Sequence, residues 1–306
     1  MTTPFLDLPK TGKSEPQQFA LGIFVILFCW FILGSLPYQL LISQISSDNN
    51  PATLIDPSTG LPIGVQPLLV FVVSNMSFWF LILGIFVAVR FVHQRPFLSL
   101  ITPTRKMSWA RVWQGFGVYF FLLAVATGIE YLLMPENFTF SLNITAFLPF
   151  LLVMLLLIPI QTSAEELLFR GYLLQATGIG IKSHWILATI NGILFMVPHL
   201  GNPEVTDNPV LLPLFFFVIG AFLTIVTLRD NRLELALGVH AANNLFAGIV
   251  VNYSNSVLQT ESIFLLNELN AAYSVGTLLV TSIIFYAWLT PKNQINGRTE
   301  FEEELG

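Results

Sequence analysis

Apolar residues run along this 306-residue chain in eight long blocks, separated by shorter polar and turn-rich segments such as GNPEVTDNP at 201–209. Most blocks approach the roughly 20 residues that a helix needs to cross the hydrocarbon core of a bilayer. The pattern predicts an all-α, polytopic membrane protein with about eight transmembrane helices. The predicted spans are 19–42, 68–89, 113–134, 147–177, 185–200, 210–228, 233–251 and 273–289.

The composition supports the membrane class and narrows the possible functions. Hydrophobic residues make up 54% of the chain and charged residues only 10%, with a mean hydropathy of +0.73. A soluble domain carries about 25% charged residues. The net charge is −5, so the sequence predicts no nucleic-acid partner. Its single cysteine, Cys29, cannot form an internal disulfide.

The Lys and Arg residues of the loops indicate an orientation. Four alternate loops, around 43–67, 135–146, 201–209 and 252–272, contain neither residue. Because Lys and Arg accumulate in cytoplasmic loops, this pattern predicts eight spans with both termini in the cytoplasm. We expect an integral protein of the plasma (inner) membrane, with the lipid bilayer as its surroundings.

Ionisable side chains within predicted spans are functional candidates, because burying them in lipid is unfavourable. Glu130 and Glu234 lie near span ends and are interpreted as interface residues. The remaining candidates are Glu165, Glu166, Arg170, His199 and His240.

The first motif is EELLFR, residues 165–170. Ser163-x-x-Glu166 fits a capping box at the start of a new helix, and Glu166 and Arg170 form an i,i+4 ion pair. This structural interpretation leaves Glu165 without a local partner, about 100° around the helix from Glu166. Glu165 is therefore the candidate for chemistry.

Two further motifs lie on later spans. In FMVPH, Phe195 and His199 share a helix face, although a lone histidine near a span end also suits an interface. In HAANN, His240 and Asn244 share a face, and interhelical hydrogen bonding is the structural alternative.

A carboxylate and two imidazoles in one intramembrane cavity favour hydrolysis. The carboxylate can take a proton from water and deliver it to a leaving amine. Histidine can orient that water or bind a divalent metal such as Zn²⁺, while His and Asn can donate to a developing oxyanion. The chain contains no H-E-x-x-H and no G-x-S-x-G motif.

The three motifs together resemble the CPBP (Abi) family of intramembrane proteases, which includes type II CAAX prenyl endopeptidases and bacteriocin-processing or immunity proteins. The resemblance implies that Glu165 is the general base and that His199 helps to activate water. It implies oxyanion stabilisation by His240 and Asn244, and support of the site by Glu166, Arg170 and Phe195. Glu165, His199 and His240 would also be the ligands if the enzyme uses a metal, and metal-free catalysis suits the same residues.

The resemblance also suggests an organisation of the chain. We expect a cytoplasmic tail at 1–18, N-terminal transmembrane helices at 19–144 and a CPBP-like catalytic core at 145–251. An outer loop and the last helix occupy 252–290, and an acidic cytoplasmic tail occupies 291–306.

Three functions stay open at this point. The first is an intramembrane endopeptidase that hydrolyses a peptide or protein substrate at the membrane by glutamate-activated water. The second is a non-proteolytic scaffold or bacteriocin-immunity protein of the same fold. The third is a transporter or proton relay, which would favour inverted repeats with broken helices in both halves, and no such pairing is evident. The sequence does not identify the substrate or the oligomeric state.

Overall fold

A computed structural model describes residues 3–48, 50–56 and 62–289. Eight helical segments run back and forth between the two ends of a bundle, and the predicted acidic tail at 291–306 lies outside the described residues. The segments are α1 (Pro16–Ser47), α2 (Pro67–Val92), α3 (Trp109–Leu133), α4 (Ile144–Gly178), α5 (His184–His199), α6 (Leu211–Asp230), α7 (Glu234–Ile249) and α8 (Ala271–Trp288).

Three of these segments contain a π-helical stretch. In α1 it is Phe28–Leu33, between α-helical Pro16–Leu27 and Leu36–Ser47. In α2, Ala88–Val92 follows α-helical Pro67–Val87. In α4, Leu167–Leu173 lies between Ile144–Glu166 and Leu174–Gly178. The last stretch begins directly after the two adjacent glutamates, and π-helical turns are frequent at functional sites.

Six of the eight segments are long and apolar enough to cross a membrane, which confirms a polytopic, mainly helical protein. The other two, α5 and α7, have 16 residues each. At 1.5 Å per residue each is about 24 Å long, less than the roughly 30 Å of a hydrocarbon core. Six of the eight predicted spans are therefore long enough to cross a membrane, and the count of eight is not confirmed. The two shorter helices carry the motif histidines.

Short strands are an addition to the predicted all-α fold. β1 (Leu54–Ile55) pairs antiparallel with β2 (Pro62–Ile63). In a second sheet, β5 (Phe264–Leu266) lies between antiparallel β3 (Phe138–Phe140) and parallel β4 (Val251–Tyr253). Strands of two or three residues are too short to produce a recognisable alternation of polar and apolar positions. The second sheet ties together the loops that follow α3 and α7.

Residues before α1 fold onto the bundle rather than extending from it. A 3₁₀ helix, Phe5–Thr11, buries Phe5, whose backbone N–H donates to the Asn231 side chain at 2.9 Å. The Lys13 N–H donates to the His93 carbonyl at 2.8 Å, and His93 Nε2 lies 2.7 Å from the Tyr172 hydroxyl. Burial lowers the pKa of the His93 imidazole below its usual value. Other 3₁₀ helices are Phe97–Leu100, Pro135–Asn137 and Pro203–Thr206.

Glycines allow the close helix contacts that position the site. A Cβ on Gly238 of α7 would collide with the Val112 carbonyl of α3, and one on Gly115 of α3 with the Leu235 carbonyl of α7. A Cβ on Gly220 of α6 would come within 3.0 Å of the Gly192 backbone of α5. Small residues at such contacts bring helix backbones together in membrane bundles. The motif-bearing helices are thus held at close range.

Candidate active site

The EELLFR motif lies inside α4, not at the start of a helix. The α-helical part runs without interruption from Ile144 to Glu166, and its N-cap is Asn143, whose side chain accepts from the Thr145 N–H at 3.2 Å. The capping-box interpretation of Ser163 is therefore wrong. Pro149 and Pro159 both lie within this helix.

The predicted pair between Glu166 and Arg170 is confirmed. Arg170 Nη1 donates to Glu166 Oε1 at 2.6 Å, and both side chains are fully buried. Arg170 Nη2 donates to the Gly220 carbonyl of α6 at 3.1 Å. The guanidinium also lies over the Phe195 ring, 4.4 Å from its centre. Arg170 therefore joins α4 to α5 and α6 at one level of the bundle.

His240 of α7 connects the two glutamates. Its Nδ1 is 2.7 Å from Glu166 Oε1, and its Nε2 is 3.7 Å from Glu165 Oε2. Because an ionised carboxylate only accepts hydrogen bonds, Nδ1 carries the proton in this contact. Nε2 is left to face Glu165. We call Glu165, Glu166, Arg170 and His240 the motif cluster.

Glu165 is buried but incompletely satisfied. Its Oε1 accepts a long hydrogen bond of 3.4 Å from the Gln161 side chain, a local partner that the sequence analysis missed. Within the described part of the chain, its Oε2 has no hydrogen-bond partner. Glu166 Oε2 and Glu234 Oε2 are also unpaired, so the distinguishing feature of Glu165 is that its Oε2 faces the Nε2 atom of His240.

His199 and Phe195 form the wall of the site on α5. His199 Nδ1 is 2.7 Å from the Phe195 carbonyl, which can only accept, so this contact places the proton on Nδ1 and leaves Nε2 available to accept one. The Phe195 ring packs against His199, with ring centres 4.5 Å apart, and against His240 at 5.8 Å. Phe195 thus contacts both histidines and Arg170 of the site.

Asn244 is the least integrated of the predicted site residues. It lies one turn beyond His240 on α7, is half-buried, and accepts a hydrogen bond from the Asn243 side chain at 3.1 Å. In the described residues, no hydrogen bond joins Asn244 to Glu165, His199 or His240. The structure therefore groups the two glutamates, Arg170, Phe195 and the histidines through direct contacts, and leaves Asn244 beside them.

The predicted metal ligands do not form a metal site in this arrangement. Over residues 3–48, 50–56 and 62–289, no group of three His, Cys, Asp or Glu side chains is arranged to hold a metal ion. His240 Nδ1 is occupied by Glu166, and His199 Nδ1 by a backbone carbonyl. Both Nε2 atoms are left free, as in histidines that bind a metal, but the three side chains are not assembled as ligands in this arrangement, so a Zn²⁺ ion stays a prediction.

The two glutamates interpreted as interface residues are both buried. Glu234 accepts from the Ser108 N–H at 3.3 Å, near the end of the bundle that also carries the pair between Arg111 and Asp230. Glu130 lies in α3 near the opposite end and lines a cavity. Their positions near span ends suggested interfaces. Sequence position does not show which side of a helix is covered by neighbouring helices, so the burial of these two glutamates could not be predicted.

Known proteins resemble this chain in two ways. Residues 144–246 match the family described as type II CAAX prenyl endopeptidase Rce1-like. Over 271 residues the chain is 33% identical to the uncharacterized protein YyaK of Bacillus subtilis (strain 168), covering 86% of this chain and 87% of that protein. No solved structure matches the chain. The family match contains α4 to α7 almost completely, and with them every motif residue.

Proposed function

The chain belongs to the Rce1-like family of type II CAAX prenyl endopeptidases, and we propose that it is an intramembrane endopeptidase with Glu165 as its general base. The substrate would be a peptide or protein segment that reaches the site within the membrane. One observation carries the proposal. Each of the two adjacent buried glutamates has an unpaired Oε2, but Glu166 Oε1 is held by Arg170 and His240, whereas Glu165 accepts only a 3.4 Å bond from Gln161 and directs its Oε2 at His240 Nε2.

The reaction follows from these contacts. A water molecule beside Glu165 Oε2 would give up a proton to that carboxylate while its oxygen attacks the peptide carbonyl carbon. His199, with Nε2 free, would orient the water. Asn244 would donate to the oxyanion of the tetrahedral intermediate through its side-chain N–H, and His240 would do so through Nε2 in its doubly protonated form, because its Nδ1 proton is held by Glu166. Glu165 would then pass the proton to the leaving amine as the carbon–nitrogen bond breaks.

Glu166 and Arg170 would act as positioning residues. Glu166 Oε1 holds His240 Nδ1, which fixes the ring with Nε2 directed at Glu165. Arg170 balances the charge of Glu166 and anchors it to α6 through the Gly220 carbonyl. A fixed tautomer and ring orientation are what a catalytic histidine requires, so these two residues support the reaction without touching the substrate.

Cells that lack the protein provide the test of function. Membrane proteomics would search for proteins whose termini or segments remain uncut in those cells and are cut again when the wild-type gene is restored. Restoration by wild type but not by the Glu165→Gln variant is the expected result. Restoration by both would favour the non-proteolytic scaffold or immunity function, because processing would not depend on the base.

We also propose that both termini are cytoplasmic in the plasma (inner) membrane, from the absence of Lys and Arg in alternate loops. Cysteines introduced at Asn50 and Asn202 should react with a membrane-impermeant thiol reagent added outside intact cells. A cysteine at Thr104 should not react. The native Cys29 is buried, so the unmodified protein is the matched background control. Labelling at Thr104 from outside would reverse the orientation.

A further inference from the structure

A second polar feature lies next to the motif cluster. A cavity of about 140 Å³ opens among α3, α6, α7 and α8. A cavity of about 10–15 Å³ is enough to hold one ordered water, so this cavity has room for a group of several atoms. The polar side chains that line it include Thr127, Glu130, Asn243, Tyr273 and Thr277.

Glu130 is the only ionisable carboxylate in the lining of this cavity. Glu130 is 8% exposed and lines the cavity, and no hydrogen bond or ion pair to its side chain occurs within residues 3–48, 50–56 and 62–289. The neighbouring Tyr273 hydroxyl donates to the Ala126 carbonyl at 2.7 Å rather than to Glu130. An ionisable side chain that faces a cavity inside a helix bundle without a partner is a candidate to bind a group from outside the chain.

The cavity is linked to the site by α7. Asn243 lines the cavity, and its side-chain N–H donates to Asn244 Oδ1 at 3.1 Å. Asn244 is the final residue of the H-x-x-x-N motif. A side chain bound in the cavity would lie beside Asn243, the neighbour of the motif residue Asn244.

We propose that this cavity is a substrate subsite in which Glu130 binds a basic side chain, Lys or Arg, close to the scissile bond. The inference rests on the proposed function, because it assumes a peptide substrate. Glu130 would pair with the cationic end of the side chain, while the apolar lining contributed by Leu123, Phe215 and Leu278 contacts its methylene stem. The occupant is an organic cation because a single carboxylate provides too few ligands for a metal ion.

A binding measurement tests the cavity without any cleavage. Purified full-length protein in detergent is titrated with n-butylammonium, which mimics a Lys side chain, and with n-butanol as the neutral match. Thermal stabilisation by butylammonium but not butanol is expected. Glu130→Gln should weaken this binding by about tenfold or more, the scale of one charge-assisted hydrogen bond. Glu136→Gln, in the exposed segment just beyond α3, is the matched control and should bind as wild type does. No stabilisation, or equal stabilisation of Glu130→Gln, would overturn the proposal.

A cleavage measurement tests the assignment to substrate. A peptide that the wild type cuts is prepared with Lys or with norleucine at each position flanking the cut. One Lys position should be preferred by wild type, and Glu130→Gln should lower that preference, measured within each protein as the ratio of the cleavage rates of the Lys and norleucine peptides, while Glu136→Gln keeps it. An unchanged preference, or butylammonium binding with no preference for Lys, would show that the cavity takes amines from another source and overturn the substrate assignment. If no peptide is cut at all, the proposed function fails, and the butylammonium result still decides whether Glu130 binds a cation.

Discussion

The pair between Arg111 and Asp230 and the motif cluster are both buried groups of charges that join helices, yet they are built differently. Arg111 of α3 donates through Nε to Asp230 Oδ2 at 2.9 Å and through Nη2 to Oδ1, so one cation meets one carboxylate with both oxygens used. In the motif cluster, Arg170 faces two carboxylates. Glu166 Oε1 accepts its hydrogen bond, and Oε2 of each glutamate has no hydrogen-bond partner among the described residues.

This difference separates architecture from chemistry among buried charges. A bidentate pair between Arg and a carboxylate has strong, directional hydrogen bonds and leaves no lone pair directed at a substrate. An unpaired buried oxygen costs about 1–3 kcal/mol of desolvation free energy, and each glutamate of the motif cluster has one. The Arg111–Asp230 pair therefore stabilises the fold, whereas the proposed function assigns the Glu165 oxygen to accept a proton.

The largest loss of stability should come from breaking the pair between Glu166 and Arg170. Glu166→Gln removes the carboxylate that hydrogen-bonds the buried Arg170 and leaves only the Glu165 charge near it, which should lower the free energy of unfolding by about 3–5 kcal/mol. Arg170→Gln should resemble it. The double variant Glu166→Gln/Arg170→Gln should recover part of the stability because no charge is stranded. Melting temperatures in detergent for all three variants are the measurement, and a double variant less stable than either single one would contradict this account of Glu166.

A smaller loss of stability is expected when the pair between Arg111 and Asp230 is broken. Asp230→Asn removes the negative charge that faces Arg111 near the end of the bundle. We expect a loss of about 1.5–3 kcal/mol, the scale of hydrogen bonds to a charged group. Cleavage per folded molecule should not change, because Asp230 is outside the site. The exposed Glu136→Gln variant is the stability control. Loss of cleavage in folded Asp230→Asn would show that the two groups of charges are not functionally separate.

Removal of metal should have the smallest effect, because we expect it to leave the cleavage activity unchanged. The structure does not arrange Glu165, His199 and His240 as a three-ligand site, so we expect protein treated with a chelator to keep its cleavage activity. The measurement pairs activity with metal content by elemental analysis. If chelation abolished cleavage and Zn²⁺ restored it, both histidines would have to move together around a metal. The metal-dependent version of the mechanism would then replace the present one.

Contacts within one helix were predictable from the sequence, and contacts between helices were not. The i,i+4 spacing predicts the Glu166–Arg170 pair because both residues lie on one helix. The contact from His240 to Glu166 joins residues 74 apart, and the Gly220 carbonyl that receives Arg170 is 50 residues away. Such contacts depend on how the helices pack. The π-helical stretch after Glu166 likewise has no signature in hydrophobic periodicity.

The ends of α5 and α7 could not be predicted for a similar physical reason. Apolar blocks predict eight segments, but where α5 and α7 begin and end depends on contacts with other helices rather than on lipid. Glu234, which suggested an interface, is buried as the first residue of α7. Both helices are buried along the faces that carry the motifs, and burial in protein lets them be shorter than the bilayer is thick. The catalytic roles assigned to Glu165, His199, His240 and Asn244 remain predictions.

The central claim is that Glu165 supplies the chemistry while Glu166 supplies the architecture. Its most direct test is the cleavage rate and melting temperature of Glu165→Gln, measured together in detergent beside wild type. Gln keeps the size of the side chain and can still accept from Gln161, but it is not a base. We predict that cleavage falls by at least about 10²-fold, the scale of lost general-base catalysis, with the melting temperature unchanged. A Glu165→Gln protein that cleaves at the wild-type rate would contradict the claim.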